Sequence, residues 1–119
     1  LADGRLADRR VWAQFGPEPM PGPLQEVIAQ IVVGPDGCAL DAEGCIWVAD
    51  PIHRRCLRVE EGGKIIEEIQ APEGLAMVAC MLGGDDGRTL LLSAATGYLE
   101  NATGVLVTTR VEVPHAGLP

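Results

Sequence analysis

Aromatic residues are scarce in this sequence. Trp12, Phe15, Trp47 and Tyr98 are the only ones among 119 residues, whereas apolar residues make up 47% of the chain, so we expect an aliphatic core. Cations are scarce as well, with nine lysines and arginines against 17 carboxylates and a net charge of −8. Because nucleic-acid phosphates are bound by lysine and arginine, this balance argues against a nucleic-acid partner. It permits a hard divalent cation, which binds to oxygen ligands.

Long apolar runs are also absent. No stretch approaches the roughly 18 uncharged apolar residues that a membrane-spanning helix needs, and the start lacks the basic and apolar regions of a signal peptide. We therefore expect no membrane partner and a cytoplasmic location. The four cysteines match no zinc-binding spacing. Because each lies in an apolar, strand-like run, we expect free, buried thiols, with a bridge between Cys38 and Cys45 as the alternative.

Glycine and proline are plentiful by contrast: fifteen glycines and nine prolines divide the chain into short segments. On either side of a turn at 41–44, runs of strand-forming residues predict a hairpin. Leu24, Val27, Ile28 and Ile31 recur at helical spacing and predict a short helix within 24–33. Strands are predicted at 11–15, 38–42, 45–49, 56–60, 64–69, 75–82 and 89–94, followed by a polar loop at 95–103 and a last strand region at 105–113.

The turns recur with a period near 40 residues. Pro35-Asp36-Gly37 returns as Pro72-Glu73-Gly74, 37 residues later, and Gly44 of the hairpin turn returns as Gly87, 43 residues later. A repeat of about 40 residues with four short strands is typical of a β-propeller blade. The chain then holds the outer strand of one blade and two further four-stranded blades. Because a closed ring needs at least about four blades, this chain alone does not close one.

Four groups of residues together carry a resemblance to a known protein family. They are Gly34-Pro35-Asp36-Gly37 followed by Asp41-Ala42-Glu43-Gly44 and Ile46-Trp47-Val48-Ala49, then Cys80-Met81-Leu82-Gly83-Gly84 with Asp86-Gly87-Arg88-Thr89-Leu90, the start Asp3-Gly4-Arg5-Leu6 with Arg9-Arg10-Val11-Trp12, and the ending from Val111 to Pro119. In these residues the chain resembles the gluconolactonase / senescence-marker-protein / luciferin-regenerating-enzyme family. The resemblance covers essentially the whole chain, which matches only the C-terminal portion of a family member.

The resemblance implies a six-bladed propeller with a divalent metal, usually calcium, in its central channel, and an activity on sugar lactones or related esters. It also implies that Asp36, which corresponds to the aspartate of the family's Pro-Asp-Gly motif, is a metal ligand and a candidate general base. The complete metal site would need residues outside this chain. The expected fold is all-β, a partial six-bladed propeller: 1–15 is the outer strand of a preceding blade, 16–33 a loop with a short helix, 34–70 a blade and 71–119 the last blade.

Strand direction adds further candidate residues. The second strand of the central hairpin returns toward Asp36, so the loop at 50–55 lies on the same side, and the same reasoning applies to the second blade. Asp50, His53, Glu73 and Tyr98 are therefore candidates for lining a substrate pocket. From the residues alone, capping of a turn is the alternative role for Asp36. His115, in a tail rich in proline and glycine, is expected to be solvated.

The resemblance thus implies the C-terminal part of a metal-dependent lactone hydrolase, in which water attacks the metal-polarised carbonyl of a small lactone or ester. Two alternatives stay open. One is a non-catalytic fragment that self-associates to complete a ring, since three copies of two blades would give six. The other is a small-molecule binding module. Partners in the first two cases are the missing N-terminal blades or further copies of the chain.

Overall fold

Two antiparallel β-sheets pack against each other in the computed structural model of the protein, which describes residues 7–96 and 103–117. The first sheet has the order β1-β2-β3-β4 and the second the order β5-β6-β7. The strands are β1 (Cys38–Leu40), β2 (Ile46–Asp50), β3 (Arg55–Val59), β4 (Ile65–Gln70), β5 (Ala76–Gly83), β6 (Thr89–Ala95) and β7 (Gly104–Arg110), and a short helix, α1, spans Leu24–Ile28. The all-β prediction and the predicted short helix are confirmed.

The strand count differs from the prediction in two places. Within the described residues the second sheet has three strands rather than four, because β7 ends at Arg110 and the chain then leaves the sheet. Residues 11–15 form no strand: Val11 is 78% exposed, and among the described residues the one backbone hydrogen bond from this segment to the first sheet runs from Gly62 N–H to Trp12 C=O, at 2.9 Å. A strand needs a partner strand for its backbone groups, and 11–15 has none among the described residues.

The turn between β1 and β2 is built from its own residues. Gly44 has φ +81° and donates its N–H to Asp41 C=O at 3.1 Å, a left-handed conformation that glycine adopts at little cost. The buried carboxylate of Asp41 accepts the N–H groups of Glu43 and Cys45 at 2.9 and 3.0 Å. These bonds close the turn and fix the register in which Leu40 pairs with Ile46.

Arg58 ties this turn to the rest of the first sheet. Its guanidinium, buried in β3, donates to Asp41 at 2.7 Å, to Glu43 at 2.8 Å and to Glu67 of β4 at 3.0 Å. Burial lowers the pKa of an arginine, but the hydrogen bonds to Asp41 and Glu43 outweigh that effect, and the pKa of Arg58 is raised. The cation therefore stays charged and joins the turn, β3 and β4.

Both faces of β2 are buried, which explains why its sequence is apolar without alternation. Trp47 and Ala49 face the second sheet and pack in the main core with Leu90 and other aliphatic residues. Val48 faces the other way, into a smaller cluster with Leu57, Val59 and Phe15. Burial on both faces is what neighbouring propeller blades impose on a central strand.

Gly37 lets the two sheets approach closely at the start of β1. Its N–H donates to Val78 C=O of β5 at 3.1 Å. A Cβ at this position would lie 2.8 Å from the Cα and 2.8 Å from the Cβ of Ala79, closer than atoms of packed residues come. A glycine is therefore required where the first strands of the two sheets meet.

The C-terminal tail connects the hairpin turns of the two sheets. Pro114 C=O accepts Ala42 N–H at 2.8 Å, and His115 N–H donates to Gly87 C=O at 3.0 Å. His115 also bridges to Asp41 and its Nδ1 is buried, so the expectation of a solvated histidine is wrong. The pattern of proline and glycine does not show these bonds because they form with residues far away in the sequence.

The four cysteines are free thiols, so no Cys38–Cys45 bridge forms. Cys45, Cys56 and Cys80 are buried as expected, whereas Cys38 is exposed because it lies on the face of β1 that the second sheet does not cover. Cys80 donates its S–H to Trp47 C=O at 3.3 Å, across the boundary between the sheets. No helix in the described parts of the chain is long and apolar enough to cross a membrane.

Candidate functional site

One edge of the two sheets gathers most of the predicted site residues. Because β1 and β5 begin there and β2 and β6 end there, three loops lie at the same edge. We call it the loop edge and define it by residues 34–37, 50–54 and 71–75. Asp36 N–H donates to Ala49 C=O and Ala49 N–H donates to Gly37 C=O, both at 2.9 Å, so the pairing of β1 with β2 fixes the position of the first loop.

Asp36 presents an exposed carboxylate at the loop edge. Its side chain has no hydrogen-bond or ion-pair partner among residues 7–96 and 103–117. It borders a cavity of about 240 Å³ whose other walls are apolar and include Trp12, Phe15, Val48 and Val59. A carboxylate with free lone pairs beside an apolar cavity can accept a proton or bind a cation, so the geometry suits the role predicted for Asp36.

Asp50 is completely buried, at 0% exposure, and organises the loop edge from within. Its Oδ1 accepts the N–H groups of Gly34 and His53 at 3.0 and 3.3 Å, and its Oδ2 accepts Arg55 Nε at 2.9 Å. Burial alone raises the pKa of a carboxyl group, but the hydrogen bonds from Arg55, Gly34 and His53 outweigh it and lower the pKa of Asp50. These contacts give Asp50 a structural role. Because its side chain is not exposed to a cavity, the structure does not support its predicted place in a pocket wall.

His53 lies on Asp50, with Nδ1 2.9 Å from Asp50 Oδ2 and the side chain 38% exposed. Glu73 is exposed in a turn closed by the bond from Leu75 N–H to Pro72 C=O at 3.1 Å. Neither side chain forms a hydrogen bond with Asp36 within the part of the chain that the structure describes. Tyr98 lies outside the described residues. The pocket-lining roles of His53, Glu73 and Tyr98 stay predictions.

Sequence reasoning did not single out Arg54, which stands beside a second cavity at the loop edge. This cavity, of about 280 Å³, lies between the loop after β2 and the loop before β5. Arg54 has φ +58° and donates Nε–H to Leu75 C=O at 2.8 Å. The spacing Asp50-x-x-His53-Arg54-Arg55 could have indicated it. Asp50 ends a strand, and the residues three and five positions later can both donate hydrogen bonds to its carboxylate. Arg54 lies between these two donors.

Residues 1–96 match the family described as the SMP-30/Gluconolactonase/LRE-like region. The chain belongs to this family. A 6-deoxy-6-sulfogluconolactonase from Pseudomonas putida is 36% identical over 96 residues, which cover 71% of this chain and 31% of that protein. A solved luciferin-regenerating enzyme aligns with a TM-score of 0.58 and 21% identity, over 68% of this chain and 29% of that one. This gluconolactonase-like chain thus spans about a third of the length of its curated relative and has the fold of a partial β-propeller.

Membership in the gluconolactonase-like family raises the question of whether the residues present fit a divalent cation. The type of donor fits, because the unpaired carboxylate of Asp36 is a hard oxygen ligand. The number of donors does not complete a site: no group of three or more His, Cys, Asp or Glu side chains within 7–96 and 103–117 comes close enough to hold a metal. Calcium takes about six to eight oxygens. The described part of the chain therefore offers one ligand of a larger set.

Proposed function

We propose that this chain is the C-terminal part of a lactone hydrolase and that Asp36 acts at its reaction centre. The observation that carries the proposal is the exposed Asp36 carboxylate beside an apolar cavity, in a chain of the gluconolactonase-like family. The loop that presents it is fixed by strand pairing and by Gly34 N–H on the buried Asp50. The backbone that carries Asp36 is therefore fixed, while its carboxylate oxygens have no partner among the described residues and remain free for chemistry.

The chemistry proposed for Asp36 is the removal of a proton from the water that attacks the lactone carbonyl. General-base catalysis by a positioned carboxylate contributes roughly 10²–10⁴-fold to a rate. The apolar walls formed by Trp12, Phe15 and Val48 offer a surface beside the carboxylate against which an apolar part of a substrate can pack. A divalent cation, which we propose to be calcium bound by Asp36 and by residues outside this chain, would polarise the lactone carbonyl.

The proposed substrate is a small lactone or ester. The Pseudomonas putida relative is named for a gluconolactone that carries a sulfo group at carbon 6. A sugar lactone is therefore the first substrate to test with this chain, and a 6-sulfo sugar lactone the second.

Two measurements test the proposal. Calcium titration by calorimetry and lactone hydrolysis by pH-stat would be carried out on the chain and on a fusion that places the upstream part of the Pseudomonas putida relative before it. Asp36→Asn in the active fusion should abolish calcium binding and reduce hydrolysis by about 10²-fold or more. Asp85→Asn is the matched control, because Asp85 is also an exposed aspartate in a turn but lies at the opposite edge. An active fusion that Asp36→Asn leaves unchanged would refute the role of Asp36.

Self-association is a second candidate, and the outer face of the second sheet favours it. Leu91 pairs with Met81, and Ser93, two residues further along β6 and on the same face, pairs with Leu106. The side chains of Met81, Leu91 and Leu106 therefore share one face of the sheet. Met81, Leu91 and Leu106 are 51%, 37% and 68% exposed. Light scattering distinguishes the possibilities. A trimer would favour completion of the ring by copies of the chain, whereas a monomer would favour coverage of this face by other blades of a longer protein. Ligand binding without turnover would instead favour a binding module.

A further inference from the structure

Among residues 7–96 and 103–117, Arg54 has no acidic partner. Most other cations that the structure describes have one within 4.0 Å: Arg55 binds Asp50, Arg58 binds Asp41, and Arg10, Lys64 and Arg110 bind Glu61, Glu60 and Asp86. Arg54 forms no ion pair with any residue in 7–96 or 103–117. In a chain with a net charge of −8, a cation left uncompensated beside a cavity is available to a ligand of opposite charge.

The loop at 71–75, which leads from β4 to β5, holds Arg54 in position. Arg54 C=O accepts Ala71 N–H at 2.8 Å, and its Nε–H donates to Leu75 C=O at 2.8 Å. These bonds maintain a backbone with φ +58°, which glycine would adopt at lower cost but without a side chain. Because Nε is already bound, the two terminal nitrogens are oriented in advance and have no partner among the described residues.

The cavity beside Arg54 has the chemistry of an anion subsite. Its volume is about 280 Å³ and most of its walls are apolar, including Pro51, Ile52 and Leu75. Among the described residues that line it, the polar side chains are Arg54 and Thr96, and none is a carboxylate. Thr96 Oγ1 already accepts Thr103 N–H at 3.0 Å, so its hydroxyl hydrogen is free to donate. Arg54 and Thr96 therefore both present donors to the same space.

We propose that this cavity binds an anionic substituent of the substrate, such as a sulfonate, phosphate or carboxylate on a sugar-sized molecule, and that Arg54 determines this specificity. The proposal rests on the proposed function, since it assigns a substrate class to the same loop edge. A guanidinium binds the oxygens of such groups through two parallel hydrogen bonds, and Thr96 would donate a third.

The test measures binding to the 119-residue chain by NMR, without turnover. Glucose 6-phosphate, 6-deoxy-6-sulfoglucose and glucuronate are the anionic probes, and glucose is the neutral control. At least one anionic probe should shift the amide signals of Gly74, Leu75 and Thr96 and bind about tenfold or more tightly than glucose. The probe with the highest affinity identifies the kind of anion. High salt should weaken its binding, because an ion pair near the surface is screened.

Variants separate the charge of Arg54 from its structural bonds. Arg54→Gln should weaken binding of the anionic probe about tenfold or more while the signals of the sheets stay in place. Arg88→Gln is the matched control, because Arg88 also binds a backbone carbonyl, that of Glu112 at 2.7 Å, at the opposite edge. If Arg54→Gln disturbs the sheets, Thr96→Val replaces it, since valine keeps the shape and removes the hydroxyl donor.

Equal binding of glucose and all three anions, or an Arg54→Gln affinity equal to that of the unmodified chain, would overturn the anion subsite. These results are distinct from failure of the proposed function. Anion binding together with an inactive fusion would retain the subsite and contradict the hydrolase. Hydrolysis of neutral and anionic lactones with equal kcat/KM and no anion binding would retain the hydrolase and contradict the subsite.

Discussion

Replacement of Asp50 should destabilise the protein far more than replacement of Asp36, although both are aspartates at the loop edge. Asp50→Ala leaves the Arg55 cation and the N–H groups of Gly34 and His53 without their acceptor at a site with 0% exposure. Removing one partner of a buried ion pair costs about 3–5 kcal/mol. Because a small domain has only about 5–15 kcal/mol of stability, this is a large share of the total.

Urea unfolding at neutral pH measures this loss. With a slope of about 1–3 kcal/mol per molar urea, a loss of 3–5 kcal/mol lowers the midpoint by roughly 2 M without a change of slope. Asp50→Asn keeps an acceptor for Gly34 but loses the charge opposite Arg55, so about 2 kcal/mol should be lost. Asp36→Asn is the control and should stay within about 0.5 kcal/mol, because its carboxylate is exposed.

The acid dependence of stability gives a second readout of the same group. The pKa of Asp50 is lowered in the folded protein, so its contribution is complete above the unfolded value of about 3.9 and is lost as the pH falls through the folded value. Asp50→Asn should therefore lose stability less steeply than the unmodified protein below about pH 4. An Asp50→Ala variant within 1 kcal/mol of the unmodified protein (about the size of an ordinary hydrogen bond) would refute the structural role of Asp50.

Three further substitutions, with Gly83→Ala as a control, test the packing of the sheets and the ion pair of Arg58 by the same unfolding measurement. Gly37→Ala should cost about 1–3 kcal/mol, because the new Cβ would overlap the backbone of β5, whereas Gly83→Ala should be nearly neutral, since nothing lies within 4 Å of its Cβ position; equal effects would contradict the close approach at Gly37. Trp47→Ala should cost about 3–5 kcal/mol by opening a cavity in the main core, and a loss below 1 kcal/mol would show that the core does not depend on it. Arg58→Ala should cost about 3–5 kcal/mol because it leaves the buried Asp41 unpaired, and an unchanged midpoint would argue against that ion pair.

The features that the sequence predicts well are those determined by local chemistry. The turn at 41–44 was predictable because Asp41 and Gly44 make its bonds within four residues. The loop-edge position of Asp36 was predictable because a hairpin returns to the side from which it starts. The apolar β2 was recognisable as a central strand because both of its faces are buried.

The features that it misses depend on residues distant in the sequence. The exposed Cys38 and the strand expected at 11–15 both lie on the side of the first sheet that the second sheet does not cover, and a residue pattern cannot tell whether a neighbour is present. The burial of Asp50 requires Gly34 and Arg55 to converge on it from two segments. Arg54 can be recognised only in the structure, which shows that it forms no ion pair with the described residues.

Lactone hydrolysis by the fusion of this chain with the upstream part of the Pseudomonas putida relative tests the role of Asp36 most directly. We expect hydrolysis that requires a divalent cation, falls by about 10²-fold or more in Asp36→Asn and is unchanged in Asp85→Asn. Hydrolysis by Asp36→Asn at the rate of the unmodified fusion would contradict that role.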